Sequence, residues 1–428
     1  MVASLHRAGL RVGMDVVYKP ILDRIVPGYY HRLDPAGGIE RSTCCDNTAT
    51  ENLMMGKLMI DSVALWARQY RIDSFRFDLM GHQPRATLVA LQERVNKAAG
   101  RKVLLIGEGW NFGAVAAGAH IVQASQRSLD RTGIRGSVGD AGEAMIRKQG
   151  YINGLVYDPN AQAGERPVAD LMHAADMVRA GLAGSIRSYP LVTWQDRTRQ
   201  LQDLDDGGQP AGYASEPGEV VNYVENHDHM TLFDIDVLKL PLATSTPDRA
   251  RVQVLGMALG AFSQGVACFH AGIDLLRIRA SSTLFRMRSA DEIRQRLRFF
   301  NTGSQQEPTV IAAHLDGRGY PGAGYPGIRY FVNVDRVAHV VSDPQARGKR
   351  MRLHPVHLAP GAADKRAASA GYDSSAGRFS IPPHTAVVFV EGEAARAVAK
   401  RSAHANSNRK QRVGWAPRAH ANAGGPRT

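Results

Sequence analysis

At 428 residues, with 44% hydrophobic and 22% charged positions, the chain can bury at least one large core and has the composition of a soluble globular protein. No apolar run approaches the ~20 residues of a membrane span. The opening Met1-Val2-Ala3-Ser4-Leu5-His6-Arg7-Ala8 lacks an export signal, so a cytoplasmic protein without a membrane partner is expected. The formal charge of +13 does not indicate a specific nucleic-acid partner, because eight basic residues and no acid follow Glu393, in a tail (393–428) whose Ala, Asn, Ser and Gly content predicts disorder.

Residues 12–17 predict a first strand. From Met55 the apolar positions Met55, Leu58, Met59, Val63 and Trp66 keep the spacing of a core-facing helix, closed by Tyr70-Arg71. A strand over 72–78 follows, with Arg76 and Asp78 on one face and Phe75, Phe77 and Leu79 on the other. Pro84 opens a second helix carrying Leu88, Leu91 and Val95 on one side, and Gly100 lies just past its end. Residues 103–106 form the next strand, completing a strand–helix–strand crossover. A strand over 220–224, a helix from Arg251 through Met257 and a strand over 267–270 continue an α/β pattern with a parallel sheet. From about residue 300 the runs 309–315, 329–334, 350–358 and 386–390 are short, alternating or β-branched, with Gly-Pro-rich turns between them. They predict a separate antiparallel β domain. The expected units are therefore 1–299, 300–392 and the tail. Cys44, Cys45 and Cys268 form no disulfide framework and no zinc spacing; buried or loop thiols are expected, a vicinal Cys44–Cys45 bridge being the minor alternative.

Three acids close short hydrophobic runs: Asp78 in Ser74-Phe75-Arg76-Phe77-Asp78, Glu108 in Leu104-Leu105-Ile106-Gly107-Glu108-Gly109-Trp110, and Asp228 in Tyr223-Val224-Glu225-Asn226-His227-Asp228. An acid where a buried strand emerges is costly unless compensated. Three in succession suggest carboxylates converging at the chemical end of a parallel barrel. Two carboxylates on neighbouring strands suit glycosidic cleavage, one protonating the departing oxygen while the other attacks the sugar carbon. Arg76 would keep Asp78 ionised, and Trp110 offers Glu108 a less polar neighbourhood and a plate for a sugar ring. A lone acid at a strand end is more often solvated or capping, so the weight rests on the set. No cofactor is expected; a calcium ion held by backbone carbonyls and scattered carboxylates would leave no spacing pattern.

Phe75-Arg76-Phe77-Asp78, Gly107-Glu108-Gly109-Trp110 and Asn226-His227-Asp228 resemble three signature blocks of the α-amylase superfamily. The segments Val26-Pro27-Gly28-Tyr29-Tyr30-His31-Arg32-Leu33, Cys44-Cys45-Asp46-Asn47-Thr48-Ala49-Thr50-Glu51-Asn52 and Phe269-His270-Ala271-Gly272-Ile273-Asp274-Leu275-Leu276-Arg277 narrow the resemblance to pullulanase and limit dextrinase. That resemblance, over residues 4–392, implies a (β/α)8 TIM barrel followed by an antiparallel β-sandwich. It also implies hydrolysis of α-1,6 branch links in α-glucans such as pullulan, amylopectin or limit dextrins. Residue by residue, it implies Asp78 as nucleophile, Glu108 as acid/base, Asp228 as the third acid gripping sugar hydroxyls, Arg76 beside the nucleophile, His227 on the same sugar and Asp15 as a structural acid. It assigns no role to Glu225 or Asp274.

Four departures from the family pattern lower the expected turnover. The chain opens just before the first signature block, without the family's two earlier barrel strands and upstream β domains, so an incomplete barrel is expected. Tyr18 runs into Lys19-Pro20-Ile21-Leu22-Asp23-Arg24 in place of a sugar-contacting histidine. Gly133-Ile134-Arg135-Gly136-Ser137-Val138-Gly139 is too short and glycine-rich for a good sixth strand. Arg277 passes directly to Ile278-Arg279-Ala280-Ser281-Ser282, where the family has a segment of substrate loops. A non-catalytic glucan-binding protein, with Trp110, Tyr29 and Tyr30 stacking sugars, is the alternative, and a transglycosylase using the same acids a third. Nothing in the sequence speaks to oligomeric state.

Overall fold

The computed structural model describes residues 1–18, 26–41, 46–110, 121–137, 145, 150–155, 166–228 and 230–392. The Cys44–Cys45 pair, Lys19 to Arg24 and the basic tail lie outside the described residues. In the N-terminal part, β1 is Gly13–Val16, β2 Ser74–Phe77, β3 Leu104–Gly107 and β4 Arg135–Ser137. An antiparallel hairpin follows, β5 (Pro190–Val192) and β6 (Thr198–Gln200), and then β7 (Val220–Asn222) and β8 (Val266–Ala267). Six of these strands form one parallel sheet in the order β1-β2-β3-β4-β7-β8.

Period-2 alternation assigns the two faces of that sheet. Phe75 and Phe77 turn to one side with Leu105, where Met59, Val63, Leu88, Leu91 and Val95 of two helices, Leu53–Gln69 and Arg85–Ala99, bury them. The opposite face curls around a cavity of about 600 Å³ lined by Asp15, Arg76, Ile106, Val221 and Val266. The second helix follows Pro84 and stops at Gly100, whose φ of +65° is the left-handed C-terminal conformation that glycine adopts without strain. The first helix differs from expectation in one position. Leu58 is exposed, and the buried stripe runs through Met55, Met59, Val63, Ala64 and Ala67, which lie closer to the sheet-facing line.

The segment expected to be too glycine-rich for a strand does supply one: β4 pairs with both β3 and β7. Glycine helps here, because a Cβ on Gly136 would sit 3.1 Å from the Gln126 side chain packed over it.

The C-terminal strands are β9 (Leu297–Phe300), β10 (Val310–Asp316), β11 (Gly327–Asn333), β12 (His339–Ser342), β13 (Met351–Leu353), β14 (Gly371–Asp373), β15 (Arg378–Ile381) and β16 (Thr385–Glu391). They make a five-stranded antiparallel sheet, β13-β16-β11-β10-β9, and a three-stranded one, β12-β15-β14. The expected boundary at 300 cuts through β9, which grows directly out of the helix Ala290–Arg296 and pairs with β10. The run 350–358 is only partly strand: after β13, Pro355 starts a short helix, Pro355–Leu358.

Nor does the larger sheet close on itself. Phe331 and Phe389 meet Phe379 of the smaller sheet at ring distances of 4.9 and 5.1 Å. The adjacent Tyr330 points the other way and lies 5.2 Å from Phe262, so one face shares the large core of the α/β part. Arg329 and Asp343, both fully buried, lock the layers with a 2.7 Å bond, and Arg298 adds a second at 3.1 Å. Among the described residues no helix is long and apolar enough to cross a membrane.

One buried acid stands outside these compensated pairs. Asp236, on the helix Leu232–Lys239, is wholly buried and neither carboxylate oxygen has a hydrogen-bond partner. Burial pushes its pKa from 3.8 up to about 8, Arg249 opposing and Glu225 adding to the rise. The folded state therefore holds this proton where the unfolded chain has released it. The associated stability is complete below the unfolded value and is lost as pH rises through about 8. Asp236→Asn is expected to be more stable than the parent by about 1–3 kcal/mol at pH 8–9 and by little at pH 4, read from urea unfolding across pH.

Candidate active site

The register of the parallel sheet builds the site. Asp15 of β1 is opposite Arg76 of β2, and Phe77 is opposite Gly107 of β3, so the next residues of the two strands, Asp78 and Glu108, emerge side by side. Directly after Asp78 the chain turns sharply. Leu79 takes φ +51° in the left-handed region, a conformation costly for a residue with a branched side chain. That turn aims the Leu79 amide at Glu108 Oε2, 2.8 Å away. Two residues on, the Gly81 amide donates to the Glu108 carbonyl at 2.8 Å. A Cβ on Gly81 would stand 1.8 Å from the Trp110 carbonyl oxygen, so only glycine permits this approach of the two strand ends.

Arg76 is the centre of the charge arrangement. Its Nη1 donates to Asp78 Oδ1 at 3.0 Å and lies 3.3 Å from both oxygens of Asp15. Its Nη2 lies 3.0 Å from Glu108 Oε1 and 3.3 Å from Asp228 Oδ2. One guanidinium thus serves four carboxylates, which only a planar fork with five donors can do. His227, well exposed, reaches Asp228 Oδ1 at 3.2 Å and Asp15 Oδ2 at 3.6 Å. Asp228 itself is steadied where its amide donates to the Asn226 side chain at 3.0 Å.

The carboxylates are not equivalent. Glu108 has only 13% of its side chain exposed, and burial, ahead of repulsion from Asp78 and a hydrogen bond with Asp228, lifts its pKa above the ordinary glutamate value against the pull of the Leu79 amide and Arg76. Arg76, for its part, is held more firmly protonated by the surrounding acids despite its own burial. Oxygens of Asp78, Glu108 and Asp228 lie within 4.8 Å of one another. Three such ligands could hold a divalent cation, and Arg76 already brings a positive charge to the same cluster.

Five of the six residues singled out by sequence therefore come together: Arg76, Asp78, Glu108, His227 and Asp228. Trp110 takes a different place, its ring partly buried against the large core rather than among the residues lining the cavity beneath the acids. Asp15 joins the site more closely than a purely structural acid would. Its spacing from Arg76 gave no hint of this, because the contact depends on sheet register. Glu225 is a helix anchor: buried, it accepts the Leu232 amide at 2.7 Å at the start of Leu232–Lys239. Asp274 accepts the Ala363 amide at 3.1 Å and ties the helix Leu275–Ser281 to the C-terminal region.

Comparison with known proteins gives a consistent picture. The family described as "Alpha-1,6-glucosidases, pullulanase-type, C-terminal" matches residues 267–392. Pullulanase 1, chloroplastic, of Arabidopsis thaliana is 32% identical over 500 aligned residues that cover 91% of this chain and 52% of that protein. A pullulanase of Klebsiella pneumoniae is 36% identical over 298 residues, covering 64% of this chain and 27% of its own length. The chain thus spans about half or less of the curated relatives it matches. The crystal structure of PulA from Klebsiella oxytoca superposes with a TM-score of 0.80 at 24% identity over 92% of this chain and 46% of that one, which speaks to the fold. The maltotriose complex of PulA from Klebsiella pneumoniae superposes with a TM-score of 0.80 at 25% identity, over 91% and 52% of the two chains.

The central position of Arg76 yields a direct test. Arg76→Gln leaves the clustered acids without their cation, so the ionised carboxylates repel one another in the folded state. Stability then becomes greatest at low pH and falls as pH rises. Denaturant titrations are expected to show the variant about 2 kcal/mol less stable than the parent at pH 7, with the gap closing near pH 4.

Proposed function

The chain belongs to the pullulanase-type family of α-1,6-glucosidases, and on that premise we propose that its acid cluster cleaves α-1,6-glucosidic links in α-glucans such as pullulan, amylopectin or limit dextrins. The observation that carries the proposal is the pairing of Asp78 with Glu108, whose oxygens approach within 4.8 Å across one guanidinium. That spacing suits a retaining enzyme, in which the two carboxyl groups stand about 5–5.5 Å apart.

In the first step an Asp78 oxygen bonds to the anomeric carbon as the bond from that carbon to the bridging oxygen breaks. Glu108 gives its proton to the departing 6-oxygen. Its raised pKa favours the protonated form required, while Arg76, 3.0 Å from Asp78, holds the nucleophilic carboxylate in place. In the second step Glu108 takes a proton from water, whose oxygen attacks the anomeric carbon and releases Asp78. Asp228 and His227, on the solvent side, are proposed to hold hydroxyls of the sugar undergoing cleavage. No step calls for a cofactor.

We read the six-stranded parallel sheet as part of an eight-stranded barrel and the two antiparallel sheets as a sandwich. The exposure of His227 supports the second reading, a glucan-binding protein with little chemistry.

The two readings are separated by reducing-end release from pullulan. Under the first, Asp78→Asn and Glu108→Gln each lower the rate about 10²–10⁴-fold, and the initial product carries the α-anomer by NMR. Equal release by the parent and Asp78→Asn chains removes the catalytic reading, and amylopectin binding that survives the Asp78 change supports the second.

A further inference from the structure

We propose that a cleft on the flank of the α/β part, built around Trp194, is a second saccharide-binding site, distinct from the acid cluster. The cleft has a volume of about 340 Å³ and is formed by the helix Val168–Leu182, the β5–β6 hairpin and the chain that follows. It shares no residue with the cavity beneath the acids. Its size falls at the lower end of the 300–1,000 Å³ range of small-molecule sites, room for a short stretch of sugar rings.

The base of the cleft is rigid. The Trp194 amide donates to Asp176 Oδ2 at 2.9 Å. Asp176, 1% exposed, is held by Arg179 at 2.7 Å, and Arg179 in turn donates to the Asn301 carbonyl at 3.0 Å and to Gln306 Oε1 at 2.7 Å. On the other side, Asp196 in the hairpin turn accepts the Ser304 amide at 2.9 Å. The backbone that carries the tryptophan is therefore anchored before any ligand arrives, which reduces the entropy lost on binding. The carboxyl of Asp176 is committed to this scaffold and faces Trp194 and Arg179.

The rim is different. Gln195, Arg199 and Asp203 are exposed and line the same cleft, and among the described residues their side chains make no hydrogen bond or ion pair. His173 completes the wall. The set is an aromatic plate surrounded by planar amide, guanidinium and carboxylate groups of mixed sign. Mixed charge at the rim disfavours a simple anion or cation. A neutral polyol ring fits it: the C–H face of the sugar lies on the indole while neighbouring hydroxyls bridge acceptors on Asp203 and donors on Arg199 and Gln195. That the saccharide is an α-glucan rests on the function proposed above; the cleft chemistry alone asks only for a sugar.

The test uses the full chain carrying Asp78→Asn, so that no substrate is consumed, with maltotriose as probe in isothermal titration. Adding Trp194→Ala is expected to abolish one binding event or weaken it at least tenfold, and Trp194→Phe to retain most of it. Because Trp194 is half-buried, Arg199→Ala and Asp203→Ala serve as exposed-residue variants that leave folding intact; each is expected to weaken the same event severalfold. A working acid cluster leaves a second event in the Trp194→Ala chain, and a failed one leaves none, so the two proposals fail separately. Titrations unchanged by all three alanine variants, or no maltotriose binding by the Asp78→Asn chain, overturn the second site.

Discussion

One guanidinium held among four carboxylates sets the terms for the rest of the site. Arg76 can reach Asp15, Asp78, Glu108 and Asp228 only because three parallel strands run in one register and a fourth segment, after β7, arrives at the same end of the sheet. A slip of one residue in β2 would turn Arg76 into the apolar layer and Phe75 into the cavity. The hydrophobic pattern that buries Phe75 and Phe77 therefore also fixes the electrostatics of the opposite face. Local strain contributes as well: without the left-handed turn at Leu79, its amide would not meet Glu108.

Within that arrangement the two central acids share one guanidinium. Arg76 lies 3.0 Å from an oxygen of each, and burial with the neighbouring Asp78 still lifts the Glu108 pKa above the ordinary glutamate value. Such a pair is expensive to fold, since charge in a poorly solvated site must be neutralised or paired.

The sequence carried the α/β pattern, the acids and Arg76 because each depends on a short-range signal: period-2 strands, a 3.6-residue helix stripe, and an acid at the end of an apolar run. What depends on distant partners was less visible. β4 is three residues long and glycine-bearing, and pairing with β3 and β7 makes it a strand. β9 follows a helix with no intervening turn residue, so nothing in residues 297–300 marks the change from helix to strand. Trp110, expected as a plate for a sugar ring, is partly buried against the large core, a contact that its place in the motif does not reveal. Glu225 lies beside the motif but faces a helix start, a direction that adjacency in sequence does not reveal.

The place of β16 in the C-terminal sheet has a consequence for synthesis. This strand, Thr385–Glu391, comes last of all those described, yet it lies inside the five-stranded sheet between β13 and β11. Its Val388 and Val390 belong to the same apolar core as Phe262 and Phe285. Until the ribosome has released that strand, β11 lacks one neighbour, and the aromatic faces prepared by some hundred and more preceding residues remain uncovered. The growing chain therefore carries this apolar surface without its last strand until Thr385–Glu391 has been made. Chaperone demand and aggregation would then be set by elongation speed and by the last stretch of described sequence, far from the acids that define the site.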